Sequence, residues 1–137
     1  MCAQPDLPES DRQLVAAAQA ARLQAYAPYS KYCVGAAIRT PTGQVYTGCN
    51  VENASYGLTV CAERVALFNA VAQGERNFDT IAIITEEGGM PCGACRQVLR
   101  EFAPALRVLV ANREGYVREQ SLLALLPEAF GPENLSS

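Results

Sequence analysis

Asp79-Thr80-Ile81-Ala82-Ile83-Ile84-Thr85 is the stretch that decides the architecture. Four apolar residues in a row, three of them isoleucine, predict a strand buried on both faces. Such a strand belongs inside a sheet that carries a layer on each side. Beyond it, a loop with Gly88 and Gly89 leads to Pro91, and a helix runs on to about residue 103, where Pro104 ends it. Residues 106–111 form another buried strand, 112–115 a turn and 116–118 a short strand. Ser121 caps a helical turn through residue 126, and Phe130 stands in the tail before Gly131-Pro132.

Upstream, residues 61–73 follow a helical pattern that Gly74 stops. Val65, Ala66, Leu67, Phe68, Ala70 and Val71 make that helix apolar on most sides, which predicts burial by a sheet and by another subunit. Before it, residues 34–40 and 44–49 read as a hairpin around Pro41-Thr42-Gly43, followed by a polar loop over 50–60. Ser10 is the expected N-cap of a helix over 11–25, Pro28 stops it, and residues 26–32 form an aromatic-rich loop. Residues 1–9 read as a loose arm and 132–137 as a tail. The order α-β-β-α-β-α-β-β-α predicts an α/β fold, a three-layer α/β/α sandwich around a mixed five-stranded sheet, in one domain spanning 1–137.

Half of the 137 residues are apolar and 18% are charged, which excludes a disordered chain. The net charge is −3 and the eleven Lys and Arg are scattered, so no basic stripe serves a nucleic-acid strand. A small polar substrate fits better. The first nine residues carry no basic residue and no apolar run, unlike a secretory signal, and no stretch approaches the roughly 18 apolar residues of a membrane span. The expectation is a cytoplasmic protein with no membrane partner. In that reducing compartment the six cysteines read as metal ligands or buried thiols.

Three of those cysteines fall in two groups, Cys61-Ala62-Glu63 and Pro91-Cys92-Gly93-Ala94-Cys95. Cys92 and Cys95 share a face of one helical turn, so their sulfurs can converge on one Zn²⁺ per subunit, with Cys61 as the third ligand from a second helix start. The chain has no histidine. Three sulfurs leave a tetrahedral ion with one open position, the arrangement of a catalytic zinc. Positions two apart in a helix point about 200° away from each other, so Cys61 and Glu63 meet at one site only if Cys61 sits at the cap. Glu63 is then the candidate proton shuttle. A dication with three thiolates keeps a net negative charge. Two helix N-termini compensate part of it, and Arg64 is placed to donate to a cysteine sulfur.

A Cys-x-x-Cys pair alone is equally compatible with structural zinc or dithiol redox chemistry. Redox would call for a thioredoxin-like βαβ context that the element order lacks. A structural site would recruit Cys33 or Cys49 as fourth ligand, but Cys61 has no close partner of the kind zinc knuckles use. Cys2, Cys33 and Cys49 read most simply as a free terminal thiol and small core residues.

With Cys-Ala-Glu followed by Pro-Cys-Gly-Ala-Cys, the sequence resembles the zinc-dependent nucleoside and nucleobase deaminases. Ala27-Pro28-Tyr29-Ser30-Lys31-Tyr32, Val34-Gly35-Ala36-Ala37, Gly48-Cys49-Asn50-Val51-Glu52-Asn53-Ala54, Cys61-Ala62-Glu63-Arg64, Pro91-Cys92-Gly93-Ala94-Cys95-Arg96-Gln97 and Leu125-Leu126-Pro127-Glu128-Ala129-Phe130 are similar to the small, homotetrameric cytidine deaminases. The resemblance covers roughly residues 11–131. It implies hydrolysis of cytidine and 2′-deoxycytidine to the uridine counterparts with release of ammonia, a step of pyrimidine salvage. Glu63 would take a proton from water activated at the metal, pass it to N3 as C4 is attacked, and later protonate the departing amino group. Asn50 and Glu52 would hydrogen-bond the ribose hydroxyls, and the backbone of Ala62 and Cys92 would contact the base. Tyr32 stands where the family usually packs a phenylalanine on the base. Phe130, Tyr56 and Tyr29 would reach into a neighbouring subunit's site, so active sites would be shared across a homotetramer. A related deaminase of a cytosine-nucleoside antibiotic such as blasticidin S shares the metal motifs, and a structural-zinc interaction module is the reading from another class. The Asn50-x-Glu52 pair argues for a ribose.

Overall fold

The computed structural model describes residues 2–3 and 6–135. Its strands are β1 (Cys2–Ala3), β2 (Gly35–Arg39), β3 (Val45–Cys49), β4 (Thr80–Ile84), β5 (Arg107–Ala111) and β6 (Tyr116–Ser121). Its helices are α1 (Glu9–Arg22), α2 (Ala62–Ala72), α3 (Gly93–Phe102) and the single turn α4 (Leu122–Leu125). The sheet runs β1-β6-β5-β4-β2-β3, with β4 and β5 parallel and every other pairing antiparallel. The five expected strands therefore form the mixed sheet, and Cys2–Ala3 adds a two-residue edge to β6. That edge lies inside the arm read as loose. The remaining calls on 1, 4, 5, 136 and 137, and on the Cys2 side chain, lie outside the described residues.

Every residue of β4 is buried, and strand alternation divides its side chains between two cores. Ile81 and Ile83 join Ala36, Ile38, Val108 and Val110 under α2, α3 and α4, where Leu67, Leu99 and Leu122 close the layer. Ala82 and Ile84 join Ala37, Leu109 and Val117 under α1, against Leu14, Val15 and Ala18. The sandwich is thus three helices on one face and one on the other.

The first helix begins two residues earlier than Ser10 would dictate. Pro8 is its N-cap, and the Pro8 carbonyl accepts from the Asp11 and Arg12 amides at 3.1 and 3.0 Å. Pro8 fixes φ and lacks an N–H, so it enters the helix at no hydrogen-bonding cost. The helix stops at Arg22 because residues 23–25 tighten into bonds reaching three residues back. Asp11, 2% exposed, points from its first turn at the Thr80 end of the sheet. Arg107 Nη2 stands 2.9 Å from its carboxylate and Arg39 Nη1 3.3 Å. Both arginines also donate to Thr80 Oγ1. Burial pushes Asp11 up, but the two guanidiniums outweigh it and hold the carboxyl below its ordinary value.

Two glycines let helices lie directly on the hairpin. A Cβ at Gly35 would stand 2.0 Å from the Ala18 carbonyl oxygen in α1, and one at Gly48 2.4 Å from the Ala66 amide nitrogen in α2. The hairpin backbone therefore sets the height of α2, whose first turn carries Glu63.

Candidate metal centre and active site

Residue 61 ends an extended segment, with φ −70° and ψ 152°, and is the N-cap of α2. Residue 92 plays the same part for α3, with φ −66° and ψ 167°. Neither side chain bonds its own first-turn amides, so both positive helix ends face the space between. The sulfurs of Cys61, Cys92 and Cys95 converge there, all within 4.8 Å of one another. Tetrahedral zinc at a Zn–S distance of about 2.3 Å wants sulfurs roughly 3.8 Å apart, which this triangle meets with small adjustment. The donor set fits a zinc ion. Cys33 and Cys49 are half-buried free thiols outside the cluster.

Cys61 is poised to ionise. A hydrogen bond from Cys95 and the Arg64 guanidinium, opposed by burial, pull its thiol to about 5. Cys95 moves the other way, pushed up by its bond to Cys61, by burial and by the Glu63 charge. Arg64 Nη2 lies 3.5 Å from Cys61 Sγ, while its buried Nε finds no hydrogen-bond partner among the described residues. Glu63 is 6% exposed. Burial, then the charge on Cys61, raises its carboxyl above the ordinary value. A buried carboxyl with a raised affinity for protons is suited to take one up and return it, as a general acid–base must.

Cys61, Ala62, Glu63 and Cys92 line a cavity of about 470 Å³. Tyr32, Val34, Asn50 and Glu52 also line it, with Ile83, Thr85, Gly89 and Met90. Asn50 Oδ1 accepts from the Val34 amide at 2.9 Å and its Nδ2 donates to the Tyr32 carbonyl at 2.7 Å. Glu52 accepts from the Tyr29 and Ser30 amides at 2.9 and 3.2 Å and from the Ser30 hydroxyl. Those bonds, the Ser30 hydroxyl first, hold Glu52 below the ordinary carboxyl range. Both side chains thus pin the loop over 29–34, yet each keeps unused capacity, a second N–H on Asn50 and a free lone pair on Glu52.

Residues that the sequence did not single out complete the site. Arg96 Nε donates to the Pro91 carbonyl at 2.7 Å and Nη1 to Leu125 at 2.8 Å, fixing the approach to Cys92. The sequence places it in the Pro91–Gln97 motif beside Cys95 without assigning it a role. Tyr32 Oη donates to Glu87 Oε1 at 2.5 Å, and nothing in the glycine-flanked run around Glu87 announces that bond. Three of the proposed aromatic groups, Tyr29, Tyr56 and Phe130, do not line this cavity. Tyr56, 75% exposed, meets Tyr29 with ring centroids 5.8 Å apart beside an adjoining hollow of about 380 Å³. Phe130 is 59% exposed and its carbonyl accepts from Gln97.

A family model described as "Cytidine and deoxycytidylate deaminase zinc-binding region" matches residues 8–111. The chain belongs to that family. As a zinc-binding deaminase it is 46% identical over 127 residues to a cytidine deaminase of Sporosarcina psychrophila, covering 90% of this chain and 93% of that one. It is 48% identical over 130 residues to a cytidine deaminase of Halalkalibacterium halodurans, covering 92% and 98%. The crystal structure of a cytidine deaminase from Burkholderia pseudomallei superposes with a TM-score of 0.85 at 52% identity, covering 90% of this deaminase and 100% of that chain. Among the described residues, no helix is long and apolar enough to cross a membrane.

Proposed function

We propose that the chain hydrolyses cytidine and 2′-deoxycytidine to uridine and 2′-deoxyuridine, releasing ammonia. The observation that carries this reading is the meeting of Cys61, Cys92 and the buried Glu63 in the lining of one cavity large enough for a nucleoside. Cys61, Cys92 and Cys95 would hold one zinc, which, when bound, lowers the pKa of water and polarises it for attack. Glu63 would take one proton from the attacking water and deliver it to ring N3, then take the second proton from the resulting C4 hydroxyl and hand it to the departing amino group, so that the C4 carbonyl forms as ammonia leaves. The backbone of Ala62 and Cys92 contacts the base, and the tyrosine ring of residue 32 packs along it. Asn50 and Glu52 offer their remaining donor and lone pair to the ribose. Arg64 offsets the negative charge of the thiolates.

The same reading includes a homotetramer in which Tyr56 and Phe130 enter neighbouring sites. Its support is that both rings, and Phe68 on α2, are half or more exposed on this chain. Phe130→Ala should raise KM about fivefold, the worth of roughly 1 kcal/mol of aromatic contact, and weaken assembly on gel filtration. A fully active monomer would remove the shared site. A cytoplasmic location and one domain across 1–137 belong to the proposal as well.

The decisive test is ammonia release followed by ultraviolet absorbance, with cytidine and blasticidin S as parallel substrates. Turnover of cytidine that chelation abolishes and zinc restores supports the reading. Activity on blasticidin S alone overturns the ribose assignment, and zinc-loaded protein inactive on both overturns the enzyme.

A further inference from the structure

The loop over 86–90 and the loop over 26–34 both contribute to the cavity lining, and the first of them leads straight to Cys92. Each is pinned from behind. Thr85 Oγ1 accepts from the Gly88 and Gly89 amides at 2.7 and 3.1 Å, shaping a turn in which Gly88 has φ +84°. Glu86 is held on the outside by Arg113 at 2.8 Å and Arg22 at 3.2 Å. On the other loop, the Tyr32 amide donates to Ser30 Oγ at 3.0 Å and its carbonyl accepts from Asn50. The backbone at both ends is therefore fixed, and Tyr32 Oη reaches between them to donate to Glu87 Oε1, with the Thr85 side chain as a further hydrogen-bonding neighbour of the phenol. Glycine at 89 leaves room for it, since a Cβ there would stand 3.0 Å from Glu87 Oε1.

We propose that the Tyr32 hydroxyl and Glu87 form a positioning pair that holds the Tyr32 ring in its nucleoside-binding orientation. This rests on the deaminase reading above. Tyr32 is 41% exposed, so without a tether its ring samples other rotamers and binding must bear the cost of ordering it. The bond orders the ring before substrate arrives. Its contribution is equal in the ground and transition states, so it acts on KM and leaves kcat alone. Partial burial and the Glu87 carboxylate push the phenol above its ordinary value, which keeps it a donor across the working pH range.

Steady-state kinetics on cytidine with zinc-loaded protein test the pair. Tyr32→Phe and Glu87→Ala should each raise KM about fivefold, with kcat within twofold. Glu87→Gln keeps an acceptor oxygen and should recover most of the affinity. The double variant Tyr32→Phe/Glu87→Ala should be no worse than either single change, because both remove one interaction. Unchanged KM in the singles, multiplied effects in the double, or no rescue by glutamine would overturn the pair while the wild-type turnover leaves the deaminase reading intact. Wild-type protein that releases no ammonia from cytidine would overturn both.

Discussion

Asp11 and Glu63 are both buried acids, set at opposite ends of the same sheet, and their surroundings drive them in opposite directions. Asp11 faces two guanidiniums and a threonine hydroxyl on the rung formed by Arg39, Thr80 and Arg107, and its carboxyl is held down. Glu63 sits beside anionic sulfur in a cavity wall, and its carboxyl is pushed up. Arg64, next to it in sequence, turns its Nη2 to Cys61 instead. Burial is common to both; the sign of the neighbouring charge is what separates a brace from a proton carrier.

That contrast breaks if the two acids respond alike to amidation. Glu63→Gln should lower kcat about 10³-fold, the scale of a lost acid–base group, with zinc content by metal analysis and thermal midpoint unchanged. A variant within tenfold of wild type would remove Glu63 from proton transfer. Asp11→Asn should do the reverse, keeping kcat while costing about 2 kcal/mol in urea unfolding, because Arg39 and Arg107 lose the charge they share. The effect has a pH signature. Since the folded carboxyl is held below its ordinary value, its stabilisation is complete above the ordinary carboxylate range and fades as pH falls through the folded value. The gap between wild type and Asp11→Asn should therefore close in acid, and a gap that stays constant would contradict the brace. Arg64→Ala sharpens the metal side with the smallest change, roughly tenfold weaker zinc retention against a chelator.

Local patterns carried most of the architecture. The isoleucine run of β4, the stop at Gly74 and the Ser121 cap, whose Oγ accepts from the Ala124 amide at 3.1 Å, are each decided within a few residues. The argument that Cys61 must lie at a cap to share a site with Glu63 needed only helix geometry, and the extended φ/ψ of Cys61 agrees with it. What the sequence hid is long-range. Asp11 reads locally as an acid suited to a helix start, and its partner Arg107 lies 96 positions away. Glu87 looks like a solvated loop charge until the fold sets Tyr32 opposite it. The edge strand at Cys2–Ala3 is too short for any alternation to register.

The absence of a side chain at position 48 has an outcome for the distant metal. Zinc accepts deviations of about 0.2 Å in its bonds to sulfur, whereas a methyl group on residue 48 would have to drive α2 outward by roughly 1 Å to clear the Ala66 amide. Cys61 would travel with α2 while Cys92 and Cys95 stayed with α3. The alignment tolerance of the whole centre is thus set by a single hydrogen atom on the far side of the helix that bears the acid.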